Sequence, residues 1–157
     1  MLSRSPPPLV NFFHDRTAAT PAADAEHAGY TPGLGEIMTL EQMRHAKLAM
    51  AGAVSNWDVA DYELEELEEG LDDIITFHPT HKDIKTPLTE LVPSFMKTPI
   101  ADMHTALAAK DATKFNETFD ALTVGCNGCH QATDFGFNVV IRPTAPSYPN
   151  QQFTPAN

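Results

Sequence analysis

Cys126, Asn127, Gly128, Cys129 and His130 form the run CxxCH, and they include both cysteines of the chain. Two thiols three positions apart on a helical turn are close enough for each to add to one vinyl group of a single porphyrin. The imidazole that follows directly is then placed to bind the iron. The spacing predicts one covalently attached haem c per chain, with Cys126 and Cys129 as attachment points and His130 as proximal iron ligand.

Two other chemistries use a CxxC pair. A redox dithiol sits after a strand, at the start of a helix, whereas this pair falls late in a helical run with no strand-like alternation before it. A structural zinc needs two further ligands. The other histidines, His14, His27, His45, His78, His81 and His104, are scattered rather than spaced as a second ligand pair. Haem is the reading these residues favour, with the dithiol and zinc as alternatives.

Around this motif, 157 residues suit one domain, part of which reads as unstructured. A formal charge of −11 argues against nucleic acid and anionic membranes as partners and in favour of a basic protein. No stretch approaches the roughly 20 apolar residues of a membrane span. Covalent haem is installed outside the cytoplasm, so a periplasmic location is expected. Residues 1–10 hold one arginine and three consecutive prolines in place of an apolar secretion core, so a leader is expected to be missing from this numbering.

Four helices are expected to position the motif. Thr39 and Gln42 make a capping-box pattern with Met38 and Met43 as its staple, which starts the first helix near Thr39 and carries it to the Gly52–Asn56 region. The second repeats Ala60, Leu64, Leu67, Leu71 and Ile74 at spacings of four and three. Ser55 or Asp58 caps it, Pro79 ends it, and Glu63, Glu65, Glu66, Glu68 and Glu69 read as its solvated face. A third opens at Thr86 and Pro87 and is broken and restarted at Thr98 and Pro99. Asp111 caps the last, whose stripe of Phe115, Phe119, Leu122, Cys126 and Cys129 would face the haem.

Short links between amphipathic helices favour an all-α, antiparallel four-helix bundle with the cofactor in its core. The bundle is assigned to residues 36–135. An extended Pro-rich arm, 1–35, precedes it, with Phe12 and Phe13 as possible anchors, and an extended Pro-rich tail, 136–157, folds over a haem edge or wraps the bundle.

A CxxCH run near the end of the fourth helix resembles the cytochrome c prime and cytochrome c556 family, over residues 38–130 and with Cys126, Cys129 and His130 as the shared motif. The arm and tail depart from that pattern. The resemblance implies the haem-holding bundle, allows a homodimer, and offers precedents both for a methionine ligand well inside the first helix and for an empty sixth site.

Met38 and His45 are the distal iron candidates. They lie seven positions apart, about 10.5 Å along the axis on one face, so both cannot reach one iron. Depth in a helix starting at Thr39 tips the choice slightly to His45, the precedent to Met38. Arg44 and Arg142 suit haem propionates, since a guanidinium fork matches a carboxylate, and the remaining histidines read as surface residues. The function expected is a monohaem cytochrome carrying single electrons to an unidentified redox partner. The alternative is a five-coordinate protein binding NO or CO. Arg44 and His45 are adjacent on the helix and face different ways, so a peroxidase pair is not formed and no enzyme is expected.

Overall fold

The structure is a computed structural model that describes residues 29–82 and 84–155. The chain divides into two units, residues 1–31 and 32–157. The first is described only at residues 29–31, so Phe12 and Phe13 lie outside the described residues. Four helices make up the second: α1 (Leu34–Ala53), α2 (Trp57–Phe77), α3 (Leu88–Ala109) and α4 (Ala112–Ala132). Each packs on the next, and α1 packs on α4. Among the described residues there is no strand, and the arrangement is a four-helix bundle.

The core follows the sequence periodicity. Ala60, Leu64, Leu67 and Ile74 of α2 meet Leu48 and Ala51 of α1, Met103 and Ala106 of α3, and Phe115, Phe119 and Leu122 of α4, all buried. Asp111 caps α4 as expected, its Oδ1 accepting the Lys114 N–H at 2.9 Å. At α2 the cap is Asn56, which accepts the Val59 N–H. Ser55 is instead in the left-handed region at φ 56°, and Asp58 sits inside the first turn.

Three other expectations are corrected. Helix α1 begins at Leu34, five residues before Thr39, with Gly33 as an extended N-cap and no side-chain cap. Thr39 Oγ1 donates to the Gly35 carbonyl at 2.8 Å, so the capping box does not form. Burial of Ile37, 2 % exposed, is worth about 1.5–3 kcal/mol and outweighs the roughly 1 kcal/mol that Gly35 costs a helix. Helix α3 runs unbroken through Pro93 and Pro99. Each proline removes only one donor, and buried Met96 and Met103 hold the helix on both sides of Pro99. Glu63 leaves the solvated face: it is 1 % exposed, with Oε1 3.7 Å from the Lys47 ammonium. Burial raises its pKa, and the charges of Lys47 and Arg44 partly offset that.

Gly52 of α1 lies directly against the Phe115 ring, which occupies the space a Cβ would need. Alanine there gains helix propensity of roughly 1 kcal/mol but overpacks a ring with no room to move, at about 1–3 kcal/mol. Gly52→Ala is therefore expected to lower the denaturation midpoint. The loss should shrink in a Phe115→Leu background, and equal losses in both would refute the clash.

The tail lies on the bundle. Arg142 reaches Asp120 Oδ1 at 2.8 Å, Lys47 stands 5.5 Å over the Tyr148 ring, and Asn56 Nδ2 donates to Phe153 O at 2.8 Å. The segment thus runs from α4 across α1 to the start of α2.

Candidate cofactor site

The last turns of α4 carry Cys126, Cys129 and His130, and the other three helices and the tail converge on them. An inner cavity of about 80 Å³ is bounded by Met38, Glu41 and His45 of α1, Leu71 of α2, Met96 of α3, the motif residues and Val140 of the tail. A cleft of about 560 Å³ shares Met38, Ile74, Val92, Cys129 and His130 with it and adds His78, His81 and Lys82 at its rim. That volume is in the range of cavities that hold cofactors.

Two glycines let α3 approach the motif. A Cβ on Gly125 would stand 2.8 Å from the Phe95 carbonyl, and one on Gly128 would stand 2.8 Å from the Phe95 ring. Pro99 has no N–H to give that carbonyl, its helical i−4 partner, so the proline and the glycines act together where α3 crosses α4. The second variable position of CxxCH is therefore fixed by packing.

The His130 ring is held by one hydrogen bond. Its Nδ1 lies 2.7 Å from the Asn138 carbonyl oxygen, an acceptor only, so Nδ1–H donates, which in the neutral ring leaves the lone pair on Nε2. This is how a ligating imidazole is usually held. Both cysteines are free thiols. Burial, then the nearby Glu41 and Cys129, push Cys126 up to about 12, and burial raises Cys129. A redox dithiol needs a lowered thiol pKa, the opposite of what is found. Among the described residues no three His, Cys, Asp or Glu side chains gather as a bare ion's ligands. A structural zinc requires four donors, whereas a haem iron needs only axial ones from the protein.

The distal candidates differ. His45 is 3 % exposed, and its Nε2 lies 2.8 Å from Thr123 Oγ1. The Thr123 hydroxyl already donates to Phe119 O at 2.9 Å, so it accepts from His45 Nε2–H. The His45 ring sits 4.5 Å from the Phe119 ring, and burial, followed by the Arg142 charge, pushes its pKa down to about 4. His45 is thus a neutral, hydrogen-bonded core histidine. Met38 borders both the inner cavity and the cleft, as His130 does. With α1 starting at Leu34, Met38 lies inside the helix, and the depth argument for His45 lapses.

The structure does not bring the two arginines to the cavity. Arg44 pairs with Glu66 of α2. Arg142 binds Asp120 and the Asn116 carbonyl, the latter at 3.0 Å, with its guanidinium 4.4 Å from the Phe119 ring centre. Of the histidines read as surface residues, His104 binds Glu68 at 2.6 Å, while His78 and His81 stand at the cleft rim, their rings 5.5 Å apart. His14 and His27 lie outside the described residues.

No family model, curated protein or solved structure matches the chain. Its reading rests on its own residues.

Sequence reasoning missed Glu41. It stands three residues after Met38 and four before His45, on the same face of α1, and that periodicity was the available signal. Its Oε1 is buried without a hydrogen-bond partner in the protein, in the space a Cβ on Gly70 would fill. Burial, opposed by Arg44 and reinforced by Asp73, pushes its pKa up to about 8. A polar atom stranded at a cavity wall fits a pocket whose contents belong to the folded protein.

Proposed function

We propose that the pocket holds one haem c, attached through Cys126 and Cys129 with His130 as proximal ligand, and that the protein is a monohaem c-type cytochrome of the cytochrome c prime and c556 kind. The observation that carries this is the convergence of four helices and the tail on CxxCH, with His130 Nε2 left free by the Asn138 carbonyl. The bound iron would supply one-electron exchange between Fe(III) and Fe(II). The chain's own residues do the rest. Each Sγ–H would add across a vinyl C=C, sulfur to one carbon and hydrogen to the other, so no oxidant would be consumed. Leu71, Ile74, Val92 and Met96 exclude water from the attachment site, while the Asn138 carbonyl fixes the imidazole.

In this reading Met38 would be the second protein ligand, because it shares both cavity and cleft with His130 while His45 Nε2 is engaged by Thr123. The bundle is of antiparallel up-and-down type. A net charge of −11 suits a redox partner with a basic docking face, and covalent haem would go with a periplasmic location. No described helix is long and apolar enough to cross a membrane.

Visible spectra of the oxidised and reduced protein test the proposal. Sharp ferrous bands that carbon monoxide does not move are expected from the wild type and from His45→Ala, whereas Met38→Ala should open the iron and bind carbon monoxide. Bands that shift in the wild type would replace electron carriage with gas binding. Purified protein containing zinc and no porphyrin would overturn both.

A further inference from the structure

The first variable position of CxxCH is Asn127, and its side chain is tied to the tail in both directions. Nδ2–H donates to the Val140 carbonyl at 2.8 Å, and Oδ1 accepts the Val140 N–H at 2.8 Å. Asn127 and His130 are three apart on α4 and share a face. Two residues before Val140, the Asn138 carbonyl accepts the His130 Nδ1–H. One short stretch of tail is thus held by Asn127 and in turn holds His130.

Between the turn after α4 and the Arg142 anchor, the Asn127 pair holds this stretch. Phe137 and Val139 are 80 % and 64 % exposed, so apolar burial contributes little. At its start the Phe135 N–H binds the His130 carbonyl at 2.8 Å, and the Asn138 N–H binds the Phe135 carbonyl at 2.8 Å. Those bonds close the turn after α4. On its far side the Asn127 pair is the first anchor, two residues before Arg142 binds Asp120 and Asn116 of α4.

Resting on the cytochrome reading above, the geometry points to Asn127 as a positioning residue for the proximal ligand: it clamps the tail so that the Asn138 carbonyl is held against His130 Nδ1. A carbonyl accepting from the distant ring nitrogen makes an imidazole a stronger donor and fixes its orientation, and losing such a partner typically weakens ligation 10- to 100-fold. A stronger donor favours Fe(III) over Fe(II). The clamp therefore lowers the reduction potential, and a position that CxxCH leaves open acquires a task in this chain.

Two variants of the full-length, haem-loaded protein test this. Asn127→Ala removes the side-chain half of the clamp, and Val140→Pro removes the Val140 N–H without touching the motif. Both are expected to keep covalent haem and to raise the midpoint potential, with a tenfold loss of Fe(III) preference appearing as about 59 mV. The double variant should do no more than Asn127→Ala alone, since that change already removes both bonds of the clamp. Exchange of the His130 Nδ1 proton with solvent, followed by NMR, should be at least about tenfold faster in each variant.

That exchange is measurable whether or not haem is attached, so the two ideas fail separately. Wild type without thioether-bound porphyrin sinks the cytochrome reading. Unchanged exchange, or unchanged potential in both variants, sinks the clamp. If Asn127→Ala fails to mature, Val140→Pro decides.

Discussion

Replacing Cys126 and Cys129 together with alanine is expected to give a polypeptide from which acidified organic solvent removes all colour, while the wild type stays coloured after the same treatment. The contrast is all-or-none because it reads a bond rather than an affinity. Both thiols border the inner cavity, so in the proposed reading one porphyrin would meet both, and each single variant should keep one thioether and stay coloured. Burial holds the Cys126 pKa up to about 12, which leaves little thiolate at neutral pH. His130→Ala separates attachment from ligation. It should retain covalent pigment, with the spectrum changed because an axial ligand is gone. Wild-type colour that washes out, or haem-stained gel bands that survive in the double variant, would refute attachment at these sulfurs.

The helical skeleton was legible where periodicity and local chemistry agree. The α2 stripe is buried at Ala60, Leu64, Leu67 and Ile74, and Asp111 caps α4, because each of these follows from residues within one or two turns. Legibility failed where a distant partner decides. Thr39 and Gln42 spell a capping box, yet burial of Ile37 against the core extends α1 past it to Leu34. Pro99 reads as a break, yet α3 stays continuous with Gly125 and Gly128 of α4 fitted around Phe95.

The site divides in the same way. CxxCH is local and marks its own place, while Arg44 and Arg142 have carboxylate partners, Glu66 and Asp120, that only the fold brings to them. Asn127 shows the limit most clearly. Its Val140 partner lies 13 residues away in a tail without regular structure, and nothing in the spacing of the two announces the pair.

Glu41→Gln should stabilise the colourless Cys126→Ala, Cys129→Ala protein by about 3 kcal/mol at pH 7, with the gain vanishing below about pH 4.5. In the folded chain the Glu41 pKa is about 8 against 4.5 for the free group, chiefly through burial. The unfolded chain therefore loses this proton first. Across pH 4.5 to 8 the folded state binds more protons, so stability falls as pH rises through that window and levels off above it. Glutamine has no charge to desolvate, and its curve lacks this descent. His45 acts in the opposite sense, since its pKa, lowered to about 4 from 6.5, makes stability drop as pH falls between those values. Comparing Glu41→Gln with its parent at each pH cancels that contribution. Urea midpoints from pH 4 to pH 9 provide the measurement, and a difference that does not change with pH would show that Glu41 is not a buried acid at this wall. Gly70→Ala should point the same way: its Cβ needs the place of the Glu41 carboxyl, so forcing the acid outward should flatten the pH dependence even though Glu41 itself is retained.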